Sequence, residues 1–312
     1  MSRFRCLSVA LTFAAAATSG LGADRPAPLP VREIAEGVFV YEAPYALASP
    51  RNTGAIANAG FIVGREGVAV IDTQATYLAG RRLLAAVEAQ TALPVRYVVN
   101  THFHPDHVLG NAAFARDGVT FVGHENLAEA LRSRQERYLA ATKALVGAEA
   151  FAGTEIVFPT MPVRGRLELD LGHRRLILES WPTAHTNSDL TVLDEKTGTW
   201  FLGDLLFAGH VPALDGSLNG WIRVAAALTS RQAARVVPGH GPSSLPWPEA
   251  ADPMTRYLKG LATDVRRMIR EGRTMRDAAG GEAGRAEAQH WALFDEFNAR
   301  NATAAFHELE WE

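Results

Sequence analysis

The stretch NTHFHPDHVLGN, residues 100–111, places His102, His104, Asp106 and His107 within six positions. The whole chain has only ten histidines and one cysteine, so this concentration constrains its chemistry and the shape that must support it. Two readings are open: a solvated polar loop, or half of a metal site. An H-x-H-x-D-H run favours the second, because a divalent ion needs several nitrogen or oxygen donors converging from backbone that is already fixed.

Other segments offer a second half. His185 (PTAHTNSD) follows the apolar run LILESW, Asp204 (LGDLLF) follows TWFL, and His240 (VPGHGP) follows ARVV. Each reads as a loop residue just past a strand, and strands sharing one core with their loops at one end would gather these side chains in one cleft. Taken alone, His185 and His240 read as ordinary polar loop residues, and Asp204 also fits a helix N-cap. Among the remaining histidines, His173 reads as solvated in a hairpin turn and His124 as bordering a helix start. His290 and His307 read as surface or packing residues of the tail. His210 lies close to Asp204 in sequence, which leaves a place in the cleft and a local structural role both open.

The N-terminus reads as an export signal over residues 1–23. Arg3 and Arg5 precede the apolar run CLSVALTFAAAA, and the small residues TSGLGA follow. The run is too short for a spanning helix, which needs about 20 residues. An exported chain, periplasmic or secreted and without stable membrane insertion, is the expectation. Cys6 falls inside this segment, so the processed chain would have no thiolate, and any metal must be held by His and carboxylate. A net charge of -3 and the lack of a dense basic run argue against nucleic-acid binding.

Along the chain, GVFVYEA, AGFIVG and GVAVIDT read as strands, the last two joined by a turn at GREG. LAGRRLLAAVEAQ reads as a helix and VRYVV as a strand. A second helix follows Glu125, with Leu127, Leu131, Tyr138 and Leu145 expected on one face. Strands follow in RLELDLGHRRLILESW, DLTVLD, TWFLGD and ARVVPGHG, with a helix in GWIRVAAALTSRQA. Residues 254 to about 272 read as a helix, GGEAG breaks it, and a last helix is expected around Trp291 to Phe297. The boundaries this gives are a main domain over 32–248 and a helical extension over 249–312 packed on it.

THFHPDH resembles the signature of the metallo-β-lactamase fold superfamily, and AVIDT, AHTNSD, GDLLF and VPGHG resemble its other motifs in order. The resemblance covers about residues 32 to 245. It implies an α/β fold, a four-layer αββα sandwich with the metal site at one edge of the two sheets. It also implies that His102, His104 and His185 hold a first ion. Asp106, His107 and His240 would hold a second, with Asp204 bridging the two and Asp72 supporting the ligand loop from behind. An aspartate rather than a cysteine at the fourth motif resembles the glyoxalase II-like hydrolases more than the antibiotic-hydrolysing branch. The segments PTAHTNSDLTVLD, GDLLFAGHVPALDGSLNGW and ARVVPGHGP are similar to SoxH-related proteins, called quinoprotein relay system zinc metallohydrolases.

The resemblance implies two divalent ions, zinc by expectation, that activate water against an ester-like bond of a small-molecule substrate: a thioester, lactone or amide. Asp106 would orient that water and relay its proton. Three alternatives stay open: a metallo-β-lactamase, a mononuclear iron persulfide dioxygenase, and a non-catalytic metal-binding partner of a quinoprotein dehydrogenase system. No substrate-binding set is legible; Tyr45, Arg51, Ser217, Asn219 and Trp221 border the expected cleft only by their place in loops.

Overall fold

The computed structural model describes residues 26–312; the expected export segment lies outside them. Strands β1 (Val31–Ala35), β2 (Val38–Tyr41), β3 (Ala59–Val63) and β4 (Val68–Ile71) lead into helix α1 (Tyr77–Gln90) and strand β5 (Val95–Val99). A helical turn α2 (Pro105–Val108), strand β6 (Thr120–His124), helix α3 (Leu127–Phe151) and strand β7 (Met161–Val163) follow. The second half holds β8 (Arg166–Asp170), β9 (Arg175–Ser180), β10 (Leu190–Asp194), β11 (Thr199–Phe207), helix α4 (Leu218–Thr229) and β12 (Arg235–His240). It ends in helix α5 (Asp252–Arg270), a single turn α6 (Met275–Asp277) and helix α7 (Phe294–Leu309).

The strands form two sheets, β1 to β7 in sequence order and β12-β11-β10-β9-β8. Successive side chains on a strand point to opposite faces, and here both faces are apolar. Phe61, Val70 and Val98 pack outward against Leu83, Leu84 and Val87 of α1. Their neighbours Ile62, Ala69, Ile71 and Val99 face Leu178, Val192, Phe201 and Val237 of the second sheet. On that sheet's other face, Trp200, Leu202 and Val236 share a core with Trp221 of α4 and with Leu258, Leu261, Ala305 and Phe306 of α5 and α7. Strands buried on both sides read as unbroken apolar runs rather than alternating ones, which is how AGFIV and VAVI look. The result is the four-layer αββα sandwich that the resemblance implies, with a C-terminal helical region sharing its core. No helix among the described residues is long and apolar enough to cross a membrane.

Several elements differ from the sequence reading. Leu145 is 54 % exposed, and Thr142 and Val146 take the buried face of α3 instead. Past Tyr138 the buried positions advance in steps of four, Thr142, Val146 and Ala150, each about 40° further round a 3.6-residue helix, so the stripe turns away from Leu145. Helix α4 begins two residues before GWIR, capped by the Ser217 side chain, and ends at Thr229. The last helix begins at Phe294 and runs to Leu309. Its inner face carries Asn298 and Asn301, so hydrophobic periodicity is faint there.

Candidate metal centre

Five segments deliver the seven candidate ligands and Asp72, the residue expected to support them. Asp72 follows β4 with φ +58, and the His102–His107 run follows β5 into α2. His185 sits in the loop between β9 and β10, and His240 is the last residue of β12. Asp204 lies inside β11, which corrects the loop placement and removes the helix N-cap reading. The register between β11 and β12 slips on both sides of Gly203, which has φ +53. Such a bulge re-aims a strand residue without ending the strand, and here it turns Asp204 to the cleft.

The structure brings all seven candidates together as two adjacent groups: His102, His104, His185 and Asp204, and Asp106, His107 and His240. Asp204 stands between them. Its Oδ2 is 3.6 Å from His102 Nε2, 3.3 Å from His185 Nε2 and 3.6 Å from His240 Nε2, and its Oδ1 is 3.3 Å from His107 Nε2. Asp106 Oδ2 lies 3.3 Å from His240 Nε2 and 3.6 Å from His107 Nε2. Tetrahedral donors at ~2.0–2.2 Å from one zinc ion stand about 3.3–3.6 Å apart, so these spacings suit ligands. The buried Nε2 atoms of His102 and His107 and Oδ1 of Asp204 have no hydrogen-bond partner among the described residues. Buried polar atoms are seldom left unpaired, and a cation is what this donor set lacks. The residues therefore fit divalent metal ions.

Supporting contacts fix which nitrogen of three of the rings is free, the usual task of groups behind metal ligands. Asp72 Oδ2 accepts from His107 Nδ1 at 2.8 Å and from the Thr101 hydroxyl at 2.7 Å. That hydroxyl in turn lies 3.0 Å from His102 Nδ1, so both rings point Nε2 at the cleft. His104 is held the other way round: its Nε2 lies 3.0 Å from Asp215 Oδ2, which leaves Nδ1 to the site. Asn58 donates to the carbonyls of Pro238 and Gly241 at 2.9 and 3.0 Å, fixing the His240 turn. Sequence reasoning missed Asp215 and Asn58, which carry no local motif.

Burial holds His102 well below the usual imidazole range and His185 down to about 3, so both are neutral donors at neutral pH. Burial also acts on Asp204 and Asp106, pushing them up, but the surrounding imidazoles outweigh it and both stay below the ordinary carboxylate value. For His107 and His240 burial works downward and is outweighed by these carboxylates, so both are raised. The carboxylates demand positive charge, which a metal ion would supply in place of protons.

His210 is buried but lies outside both ligand groups; its ring is 4.9 Å from that of His240. Trp221 is wholly buried in the core and Ser217 caps α4, so neither is a cleft residue of a free loop. His173 is exposed, and His124 Nδ1 accepts from the Asn126 N–H at the start of α3.

The family model of the metallo-beta-lactamase superfamily matches residues 52–240. The chain belongs to this superfamily, whose members are hydrolases. A metallo-beta-lactamase from Pontibacter korlensis is 24% identical, covering 69% of this chain and 92% of its own, with a TM-score of 0.53. TMB-1 is 18% identical over 74% of this chain and 97% of its own, with a TM-score of 0.57. The stereoselective inverting sec-alkylsulfatase Pisa1 from Pseudomonas sp. is 14% identical, covers 90% of this chain and 50% of its own, and has a TM-score of 0.67. Comparison with curated proteins gives no match. The sulfatase likeness reaches into the C-terminal helices, because residues 1–251 make up only about four fifths of the chain.

Proposed function

We propose that this chain is a binuclear zinc hydrolase that cleaves an ester-like bond, a thioester, lactone or amide, in a small molecule. The observation that carries the reading is the pair of ligand groups sharing Asp204. Seven donors exceed the four that a closed structural zinc site needs, which favours catalysis over a purely structural ion. His102, His104 and His185 would hold one ion, Asp106, His107 and His240 the other, with Asp204 between them. Divalent ions there supply Lewis acidity, which lowers the pKa of water and polarises a carbonyl. Asp106 is more exposed than Asp72 and Asp204, with 17 % side-chain exposure against 3 % for each of those. That exposure supports the reading in which Asp106 orients water at the cleft mouth and takes its proton. No serine or cysteine nucleophile is required.

A sulfate-ester substrate is the second reading, favoured by the likeness to the sec-alkylsulfatase extending beyond the sandwich into the C-terminal helices. Export to the periplasm or the medium, and a link to a quinoprotein dehydrogenase system, belong to the same proposal and rest on sequence and resemblance. The test is metal quantification followed by a screen of thioesters, lactones, β-lactams and sulfate esters. Two zinc ions per chain and turnover lost in Asp204→Ala are expected. One iron per chain, or no turnover by the zinc-loaded protein, would sink the reading.

A further inference from the structure

His210 has a task that the two ligand groups leave unassigned. The residue is 5 % exposed, and its Nδ1 lies 2.6 Å from the carbonyl oxygen of Val211. A carbonyl only accepts, so Nδ1 carries the proton and Nε2 presents a lone pair. Nε2 makes no hydrogen bond among the described residues. The segment is pinned, since the Val211 N–H donates to the Ala292 carbonyl at 3.1 Å and the Ala292 N–H to the Gly209 carbonyl at 2.8 Å.

Its surroundings are aromatic. The imidazole is 4.9 Å from the ring of His240, 5.2 Å from that of Phe297 on α7 and 6.5 Å from that of Tyr45. Tyr45 is anchored by its hydroxyl to the Ala208 carbonyl at 2.9 Å, yet 44 % of it remains exposed. An acceptor fixed beside a candidate metal ligand, with a partly exposed aromatic ring at its side, can take a hydrogen bond from a bound molecule whose apolar part rests on that ring.

We propose that His210 is a substrate-positioning residue. Its Nε2 accepts a hydrogen bond from a hydroxyl or amide N–H of the substrate, whose alkyl or aryl group lies against Tyr45 and Phe297. The substrate class is then an uncharged molecule with a hydrogen-bond donor close to the scissile carbonyl. The identity of the bond rests on the hydrolase reading above; the binding contact does not.

The test uses the full zinc-loaded chain and two non-hydrolysable thioethers, an octyl and a 3-hydroxyoctyl compound, with calorimetry as readout. Wild type is expected to bind the hydroxylated probe about tenfold more tightly, the scale of one good hydrogen bond. His210→Ala removes that preference, leaves the octyl Kd and the metal content unchanged, and His210→Gln, whose amide oxygen still accepts, restores part of it. In ¹⁵N spectra of the wild type, His210 shows the Nδ1-protonated tautomer, and only the hydroxylated probe moves its Nε2 resonance. Loss of both probes alike in His210→Ala, no hydroxyl preference in wild type, or an Nε2 shift on zinc loading alone would each overturn the assignment. If His210→Ala fails to fold, the wild-type spectra decide. Probe binding that depends on His210, with no cleavage of the matching thioesters, would sink the hydrolase reading and leave this one standing.

Discussion

A Cβ built on Gly239 comes 1.8 Å from Oδ1 of Asp204, well inside contact distance, so this position has to lack a side chain if the carboxylate is to face both ligand groups. Gly239→Ala is expected to press on β11, because the same Cβ comes 2.9 Å from the Gly203 carbonyl carbon, and to swing Asp204 away from its four imidazole neighbours. Displacing a ligand should cost metal affinity at least as much as losing its support, about 10–100-fold. Metal analysis after dialysis against buffered free zinc, beside a circular dichroism spectrum, measures both; full metal content in the variant would refute the steric argument. The same scale shows what local pattern can and cannot reveal. His102, His104, Asp106 and His107 are legible because their spacing alone sets them on one loop. Asp215 is not, because its partner His104 lies 111 positions away, and Asn58 meets Pro238 across 180. Asp204 was legible as a residue while its setting was not, since a bulge depends on the neighbouring strand.

Helix α7 is held to the cleft wall by polar groups as well as by packing. Asn301 is 1 % exposed; its amide donates to the Pro212 carbonyl at 2.6 Å and to the Tyr257 hydroxyl at 2.8 Å, and its oxygen accepts from the Leu214 N–H at 2.9 Å. Asn301→Leu keeps the branched shape but strands those partners in the core, where an unsatisfied group costs about 1–3 kcal/mol. A loss on the order of 3 kcal/mol follows, or a Tm lower by about 6–10 °C. Thr303→Ala, at a half-buried position of the same helix outside this network, should change stability by less than about 0.5 kcal/mol. Thermal melts of the pair compare them directly, and equal Tm values would contradict the role given to Asn301. This polar face is also why the helix was read short: its buried stripe of Asn298, Asn301, Ala302 and Ala305 carries little hydrophobic signal. Strands such as AGFIV and VAVI are legible for the opposite reason, being apolar on both faces.

At the scale of the whole molecule, each ligand group draws donors from both sheets. His102, His104, Asp106 and His107 come from the loop after β5 of the first sheet, whereas His185, Asp204 and His240 belong to the second. The layer order itself was read from the resemblance, because periodicity marks strands and says nothing of which sheet they join. Bound ions would cross-link the open edge of the sandwich, and without them Asp106 and Asp204 crowd the same Nε2 atoms of His107 and His240. A ligand that binds only the folded state stabilises it by RT ln(1 + [L]/Kd), about 4 kcal/mol at a free concentration a thousandfold above Kd. Chelation should therefore lower Tm by about 10 °C from that condition, and restoring zinc should recover it. Because α5 and α7 share a core with the second sheet, the melt should remain a single transition in both states. Asp204→Ala loses a donor near both groups, so its Tm should hardly respond to chelator. A wild-type Tm indifferent to chelation, or a full shift kept in Asp204→Ala, would mean that the two sheets are not joined through this centre.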